Sequence, residues 1–263
     1  MSKLQALIFD VDGTLADTER DGHRIAFNQT FAEVGLGWSW SIELYRELLA
    51  IAGGKERIKA YIHQYCPEFE PPADLQGWIA NLHQAKTNHY RQLVLKGEIS
   101  LRTGVRRLIE EARQQQIRLA IATTSTLDNV TALLETNLAP DSPSWFEVIA
   151  AGDVIPNKKP APDIYKYVLQ TMHLQPEECL AIEDSHQGLK SATQAGIKTV
   201  ITLNAYTQTD DFSGAALVLD HLGEPGLPFR VLGGSAGTAT YFNVALAKSL
   251  LGDYSPFQGY EAQ

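Results

Sequence analysis

The sequence predicts an α/β fold, a doubly wound parallel sheet interrupted by an all-helical insert. Three observations lead there. Short apolar runs recur that end in acids, hydroxyls or turn residues, as strands buried on both faces of a parallel sheet do. Stretches with helical periodicity separate them, the alternation that makes βαβ units. From about Thr18 to Gly97 the alternation stops and only helical patterns remain.

The first strand is ALIF, Ala6 to Phe9, closed by the turn chemistry of DVDGT. In the insert, Ile58, Tyr61, Ile62 and Tyr65 fall at i, i+3, i+4 and i+7, one face of an amphipathic helix. The stretch CPEFEPP after Tyr65 breaks that pattern, and a long helix is expected from roughly Leu75 to Leu95. Trp38, Trp40 and the tyrosines are expected to fill the core of the insert rather than a stacking platform. After Thr103-Gly104, the apolar set Val105, Leu108, Ile109 and Ala112 marks a helix, with Arg106/Glu110 and Arg107/Glu111 paired on its wet side. RLAIA (Arg118 to Ala122) is a strand and Leu127 to Asn137 a helix. EVIAAGD, CLAIEDS and KTVITL read as further strands, with APDIYKYVLQTMH and GLKSATQAG as the helices between them. Right-handed crossovers wind these units into one sheet. Beyond about Pro228 the chain is rich in small residues, then weakly helical, and its end QGYEAQ reads as frayed.

The chain has 263 residues, enough for one large domain or two smaller ones. Its composition, 44% hydrophobic and 20% charged, is that of an ordinary globular protein. A formal net charge of -9 argues against a nucleic-acid partner, which calls for a basic face. No stretch approaches the ~20 apolar residues of a membrane span. The N-terminal apolar run is too short for a secretion signal. Cys66 and Cys179 form no metal-type cluster and suit a reducing compartment. The histidines show no HxH or HExxH spacing, which argues against zinc. The expected setting is the cytoplasm, or the plastid stroma if a transit peptide has been removed, and the expected state is a monomer.

Open α/β sheets bind ligands at the carboxyl ends of their strands. Those ends supply Asp10 and Asp12, then Thr123, Thr124 and Ser125, then the loop GDVIPNKKPAP with Lys158 and Lys159, then Glu183 and Asp184. Acids, hydroxyls and a lysine thus converge from four segments. Two acids one residue apart repel, and a divalent cation offsets the repulsion among Asp10, Asp12 and Asp184. Carboxylates are the hard oxygen ligands that Mg²⁺ prefers. Thr123 and Thr124, after a strand and before a helix, suit an anion. Lys159 adds a positive charge in a loop stiffened by Pro160 and Pro162, while Lys158 reads as a solvated neighbour. A carboxylate nucleophile with a second carboxyl as acid and base suits phosphate-ester hydrolysis.

The order DVDGT, Thr123 in IATTS, Lys159 in KKPAPD and Glu183-Asp184 in IEDS resembles the four motifs of the haloacid-dehalogenase (HAD) superfamily. The resemblance implies a Rossmann-like core. It makes Asp10 the phosphoryl-accepting nucleophile and Asp12 the general acid and base. It assigns Mg²⁺ to the Asp10 side chain, the Asp12 backbone carbonyl and Asp184, with Glu183 supporting them from behind. The helical insert after the first motif resembles the cap of the beta-phosphoglucomutase-like subfamily. Within it, DTERDGHRIAFNQTF, LYRELLAIAGGKERIKAY and AGDVIPNKKPAPDIY are similar to the CbbY-type phosphatases, in their plant and cyanobacterial branch. That family dephosphorylates xylulose-1,5-bisphosphate, an inhibitor of the CO₂-fixing enzyme RuBisCO. The expected organisation is a discontinuous core of residues 1–18 and 98–232, a cap of 19–97 and an extension of 233–263.

A bisphosphate needs a second anion site, and GGKER in the cap fits one. Gly53 and Gly54 allow close backbone approach at a helix start, and Lys55 and Arg57 bring charge. Tyr45 and Glu19 join as candidates, Glu19 for sugar hydroxyls. His23 falls near the hinge, where the mutase branch uses a histidine to engage its substrate. The reading is therefore a small-molecule sugar-bisphosphate phosphatase. A sugar phosphomutase, or a phosphatase for another ester such as phosphoglycolate, remains open beside it. The cap is expected to close over its substrate, hinging near Asp17–Glu19 and Gly97–Thr103.

Overall fold

The structure is a computed structural model and describes residues 4–51, 53–152 and 154–252. The stretch QGYEAQ lies outside these residues. Seven strands form one sheet in the order β3-β2-β1-β4-β5-β6-β7. They are β1 (Ala6–Phe9), β2 (Arg118–Ala122), β3 (Val148–Ala150), β4 (Cys179–Glu183), β5 (Lys198–Thr202), β6 (Leu217–Leu219) and β7 (Val231–Gly234). The first six run parallel and β7 is antiparallel to β6. This is the doubly wound sheet the alternation predicts. β1 lies between β2 and β4, so the strand order reverses beside it and a crevice opens at its carboxyl end.

The alternation of side chains along β1 builds two cores. Leu7 and Phe9 join the face that packs α5 (Val105–Gln114), α6 (Leu127–Asn137) and α9 (Val244–Gly252). Ala6 and Ile8 join the other face, under α7 (Asp163–Met172). The helix α8 (His186–Gln194) closes that side through Ala192.

Between β1 and α5 the described residues form a π-helical turn at Thr18–His23 and four helices. These are α1 (Arg24–Glu33), α2 (Ile42–Leu49), α3 (Gly54–Tyr65) and α4 (Leu75–Leu95). Ser41 starts α2 by accepting from Leu44 N at 3.2 Å, and Asp74 starts α4 by accepting from Gly77 N at 2.9 Å. Phe27, Phe31, Trp40, Tyr45, Ile58 and Leu82 bury a separate aromatic-rich cluster there, with Trp38 packed against it. Trp40 sits in the core of the insert and Trp38 packs against it, as expected.

Two strands go beyond the sequence reading. β6 is only LVL, too short to stand out. β7 is VLGG, largely exposed, with no alternating pattern. Its glycines have a packing reason. Gly234 has φ 79°, and a Cβ there would come within 2.6 Å of Ala216 O. β7 spans positions 232 and 233, so the extension starts inside a strand of the main sheet.

Candidate active site

Asp10 follows β1 directly, its amide donating to Ile182 O at 3.0 Å and so extending the ladder toward β4. Its side chain is buried. From the loop between β3 and α7, Lys159 Nζ reaches in and donates to Asp10 Oδ1 at 2.7 Å, Glu183 Oε1 at 2.6 Å and Ala122 O at 2.9 Å. Tyr165 of α7 donates to the same Glu183 oxygen at 2.6 Å. Asp184 accepts from Asn204 Nδ2 at 2.6 Å. Carboxylate oxygens of Asp10, Glu183 and Asp184 all lie within 4.8 Å of one another.

The electrostatics follow from burial. Burial pushes Asp184 well above the usual carboxylate range, and Asp10 and Glu183 push the same way. Burial also raises Glu183, against the pull of Lys159. Burial alone would lower Lys159, but Asp10 and Glu183 more than reverse it and keep the ammonium charged. One lysine against three buried acids leaves negative charge uncompensated. Glu183 Oε2 is buried with no hydrogen-bond partner among the described residues. An all-oxygen cluster with excess negative charge fits a divalent cation. Asp10 and Asp184 would hold it, with Glu183 beside them tied to Lys159 and Tyr165.

Two glycines give the cluster room. A Cβ on Gly13, whose φ is 87°, would sit 2.3 Å from Asp184 Oδ2. A Cβ on Gly188 would sit 1.9 Å from Glu183 Oε2.

Asp12 has a different environment. Thr18 Oγ1 donates to its Oδ1 at 2.5 Å and Ser125 Oγ to its Oδ2 at 2.6 Å. Burial, then Glu19 and Asp10, raise it to about 6. A carboxyl poised that close to neutrality can both give and take a proton. Thr123 is fully buried and its Oγ1 accepts from Ser125 N at 3.2 Å, whereas Thr124 is exposed. Of the hydroxyls after β2, the one brought to Asp12 is thus that of Ser125, which the sequence placed at the strand end without a role.

In the cap, Glu19, Tyr45 and Arg57 form a chain. Tyr45 donates to Glu19 Oε2 at 2.6 Å and accepts from Arg57 Nη1 at 3.0 Å. Arg57 is buried and also donates to Leu48 O and Ile51 O, so it braces the chain at the end of α2. Gly53 precedes α3 with φ 95°, and the Glu56 carboxylate folds over it. Gly54 lies against His83, and Lys55 is exposed. Lys86 of α4, missed in the sequence, is buried and within 2.7 Å of His23 Nδ1. The signal available was a lysine one helical turn from Tyr90 on the apolar stripe of α4.

Arg102 ties together the two segments that enter and leave the helical insert. Its Nε lies 3.3 Å from Asp17 Oδ1, and the guanidinium donates to Gly13 O, Thr202 O, Leu203 O and Asp220 O.

A family model described as haloacid dehalogenase-like hydrolase matches residues 7–202. The chain belongs to that family. It is accordingly an enzyme, a hydrolase of the phosphatase kind. It is 48% identical to the plasmid protein CbbY of Cupriavidus necator, over 86% of this chain and 88% of that one. It is 41% identical to a CBBY-like protein of Arabidopsis thaliana, over 84% of this chain and 70% of that one. Among solved structures it resembles CbbY from Rhodobacter sphaeroides, mutant D10N, in complex with xylulose-(1,5)bisphosphate. That likeness has a TM-score of 0.71 and 45% identity, and covers 83% of this chain and 94% of that one. No helix among the described residues is long and apolar enough to cross a membrane.

Proposed function

We propose that this family member hydrolyses xylulose-1,5-bisphosphate to xylulose-5-phosphate and phosphate. The observation that carries the reading is Asp10 held by Lys159 at 2.7 Å inside the acidic cluster. The sugar follows from likeness to the Rhodobacter protein solved with that bisphosphate. Asp10 attacks phosphorus and forms an aspartyl phosphate. Asp12, raised to about 6, protonates the leaving sugar oxygen. Asp12 then takes a proton from water, which attacks the aspartyl phosphate and frees phosphate and the Asp10 carboxylate. Lys159 neutralises phosphoryl oxygens throughout, and the Thr123–Ser125 turn supports them with hydroxyl and amide groups. Mg²⁺, held by Asp10, the Asp12 carbonyl and Asp184, supplies Lewis-acid charge when bound.

The cap holds the second phosphate and the sugar. Gly53, Gly54, Lys55 and Arg57 offer the anion site and Glu19 meets sugar hydroxyls, with Tyr45 between them. We place the enzyme in the cytoplasm or plastid stroma as a monomer, with residues 19–97 acting as the cap. The test is phosphate release from xylulose-1,5-bisphosphate beside ribulose-1,5-bisphosphate, phosphoglycolate and glucose-1-phosphate, with and without Mg²⁺. Strong preference for the first, lost in Asp10→Asn, is expected. Even activity across the set overturns the substrate, and turnover in Asp10→Asn overturns the mechanism.

A further inference from the structure

The loop leaving β5 touches both halves of the site. At its start, Asn204 Nδ2 donates to Asp184 Oδ2 at 2.6 Å, while Asn204 Oδ1 accepts from Tyr206 N at 2.8 Å. These two bonds fix the amide, because turning it over would set oxygen against oxygen and N–H against N–H. Asn204 N also donates to Thr207 Oγ1 at 3.2 Å, closing the turn on itself. The position of Asp184 and the position of the Tyr206 backbone are therefore linked through one rigid side chain.

From the same turn the chain grips the cap. The Tyr206 ring meets the Tyr45 ring edge-on, with centroids 5.8 Å apart and planes at 68°. It packs with the aromatic cluster of the cap rather than with either face of the sheet. Beside it, Arg46 Nη2 on α2 donates to Ala205 O at 2.7 Å. Tyr45 is the residue that bridges Glu19 and Arg57 in the cap pocket. Asp184, Asn204, Tyr206 and Tyr45 thus form a continuous path of contacts from the acidic cluster to the pocket.

We propose that Asn204, Ala205 and Tyr206 are positioning residues through which occupancy of the acidic cluster sets the closure of the cap. This goes beyond the proposed reaction but rests on Asp184 holding the cation. A cation there fixes Asp184, Asn204 transmits that position to the turn, and the turn seats Tyr45 and Arg46. Coupling of this kind is reciprocal, so a closed cap also strengthens cation binding.

The experiment measures Mg²⁺ binding by calorimetry and amide exchange across α2 in the substrate-free protein. It uses wild type, Tyr206→Ala, Tyr206→Phe and Arg46→Ala, each checked by melting temperature. Arg46 is exposed, so its replacement leaves the fold intact. Mg²⁺ alone should protect α2 in wild type and in Tyr206→Phe, which keeps the ring. Tyr206→Ala and Arg46→Ala should lose that protection and bind Mg²⁺ about five-fold more weakly, with the KM for the bisphosphate raised and kcat little changed. Wild-type Mg²⁺ affinity and α2 protection in Tyr206→Ala would overturn the coupling alone. Wild type that binds no Mg²⁺ overturns the cation reading and the coupling with it.

Discussion

Lys86 Nζ lies 2.7 Å from His23 Nδ1, and this contact fixes the tautomer of the histidine. An ammonium only donates, so Nδ1 accepts and the hydrogen sits on Nε2. Nε2 faces Asp12 Oδ1 at 3.8 Å. Burial, with Lys86, Arg57 and His83, holds His23 well below its usual pKa and keeps it neutral. Lys86 is thereby linked to Asp12 through one ring, which also stacks on Tyr90 with centroids 4.1 Å apart.

Burial and Arg57 pull Lys86 down to about 8, against Glu19 and Asp12. Its ammonium lies against His23, whose other nitrogen faces Asp12, so kcat/KM for a bisphosphate should fall as pH rises through about 8. Lys86→Met should remove that limb. The stability effect has the opposite sense. Between about 8 and the ordinary lysine value of 10.5, the unfolded chain keeps a proton that the folded chain lacks. Stability therefore rises with pH across that window, and the contribution is lost as pH falls through about 8. Urea unfolding at several pH values should show the slope in wild type and its loss in Lys86→Met.

Lys159→Met should be costly twice. It removes the charge held beside Asp10, which on the proposed mechanism is an effect of about 10²- to 10³-fold in kcat. It also leaves Asp10 and Glu183 as unpaired buried acids, worth roughly 3–5 kcal/mol of stability. Mg²⁺ should restore part of the stability and little of the rate. A variant equally stable with and without Mg²⁺ would show that the cluster does not hold the cation.

Gly13→Ala and Gly188→Ala should both damage the cluster, since the new methyl would meet Asp184 Oδ2 at 2.3 Å and Glu183 Oε2 at 1.9 Å. Gly35 is the control. Its φ is 73°, but nothing lies within 4 Å of an added Cβ. Gly35→Ala should cost about 1 kcal/mol through backbone strain and leave Mg²⁺ affinity unchanged. Calorimetric Mg²⁺ titration separates the two cases, and equal affinity in all three variants would contradict the geometry.

The parts legible in the sequence were those carried by local pattern. β1, β3 and β4 are apolar runs with chemistry-bearing residues at or past their ends, so Asp10, Asp12, Lys159, Glu183 and Asp184 could be named from the sequence. The parts that were not legible depend on distance in the chain. Asn204 lies 20 residues from Asp184 and Arg102 lies 89 from Gly13, and nothing local marks either as a partner. Ser125 and Thr124 are adjacent hydroxyls, and only the backbone turn decides which one meets Asp12. The partners of Arg57 were not legible because they are two carbonyls and the Tyr45 hydroxyl, which no local pattern marks. β6 and β7 were missed because three apolar residues and a Gly-Gly pair carry no period.

Arg102 offers the last prediction. It is the point where the cap linkers and the acidic loop meet, since one guanidinium reaches Asp17 on the first linker, Gly13 beside Asp184, and carbonyls at the ends of β5 and β6. A planar fork with five donors can serve so many acceptors, and an ammonium cannot. Arg102→Lys keeps the charge but leaves buried carbonyls unpaired, a loss of roughly 1–3 kcal/mol for each one stranded. If the fork only stabilises the core, the variant should melt earlier while its kinetics and hinge exchange stay as in wild type at a permissive temperature. The contact with Asp17 argues otherwise. With it loosened, amide exchange across 17–23 should rise well below the melting transition, and kcat should drop about ten-fold while Mg²⁺ affinity holds. Asp17→Asn removes the same ion pair from the other side without stranding any carbonyl. Matching hinge exchange in the two variants would assign the effect to the linker clasp, and wild-type exchange in Asp17→Asn would assign it to the lost carbonyl contacts instead.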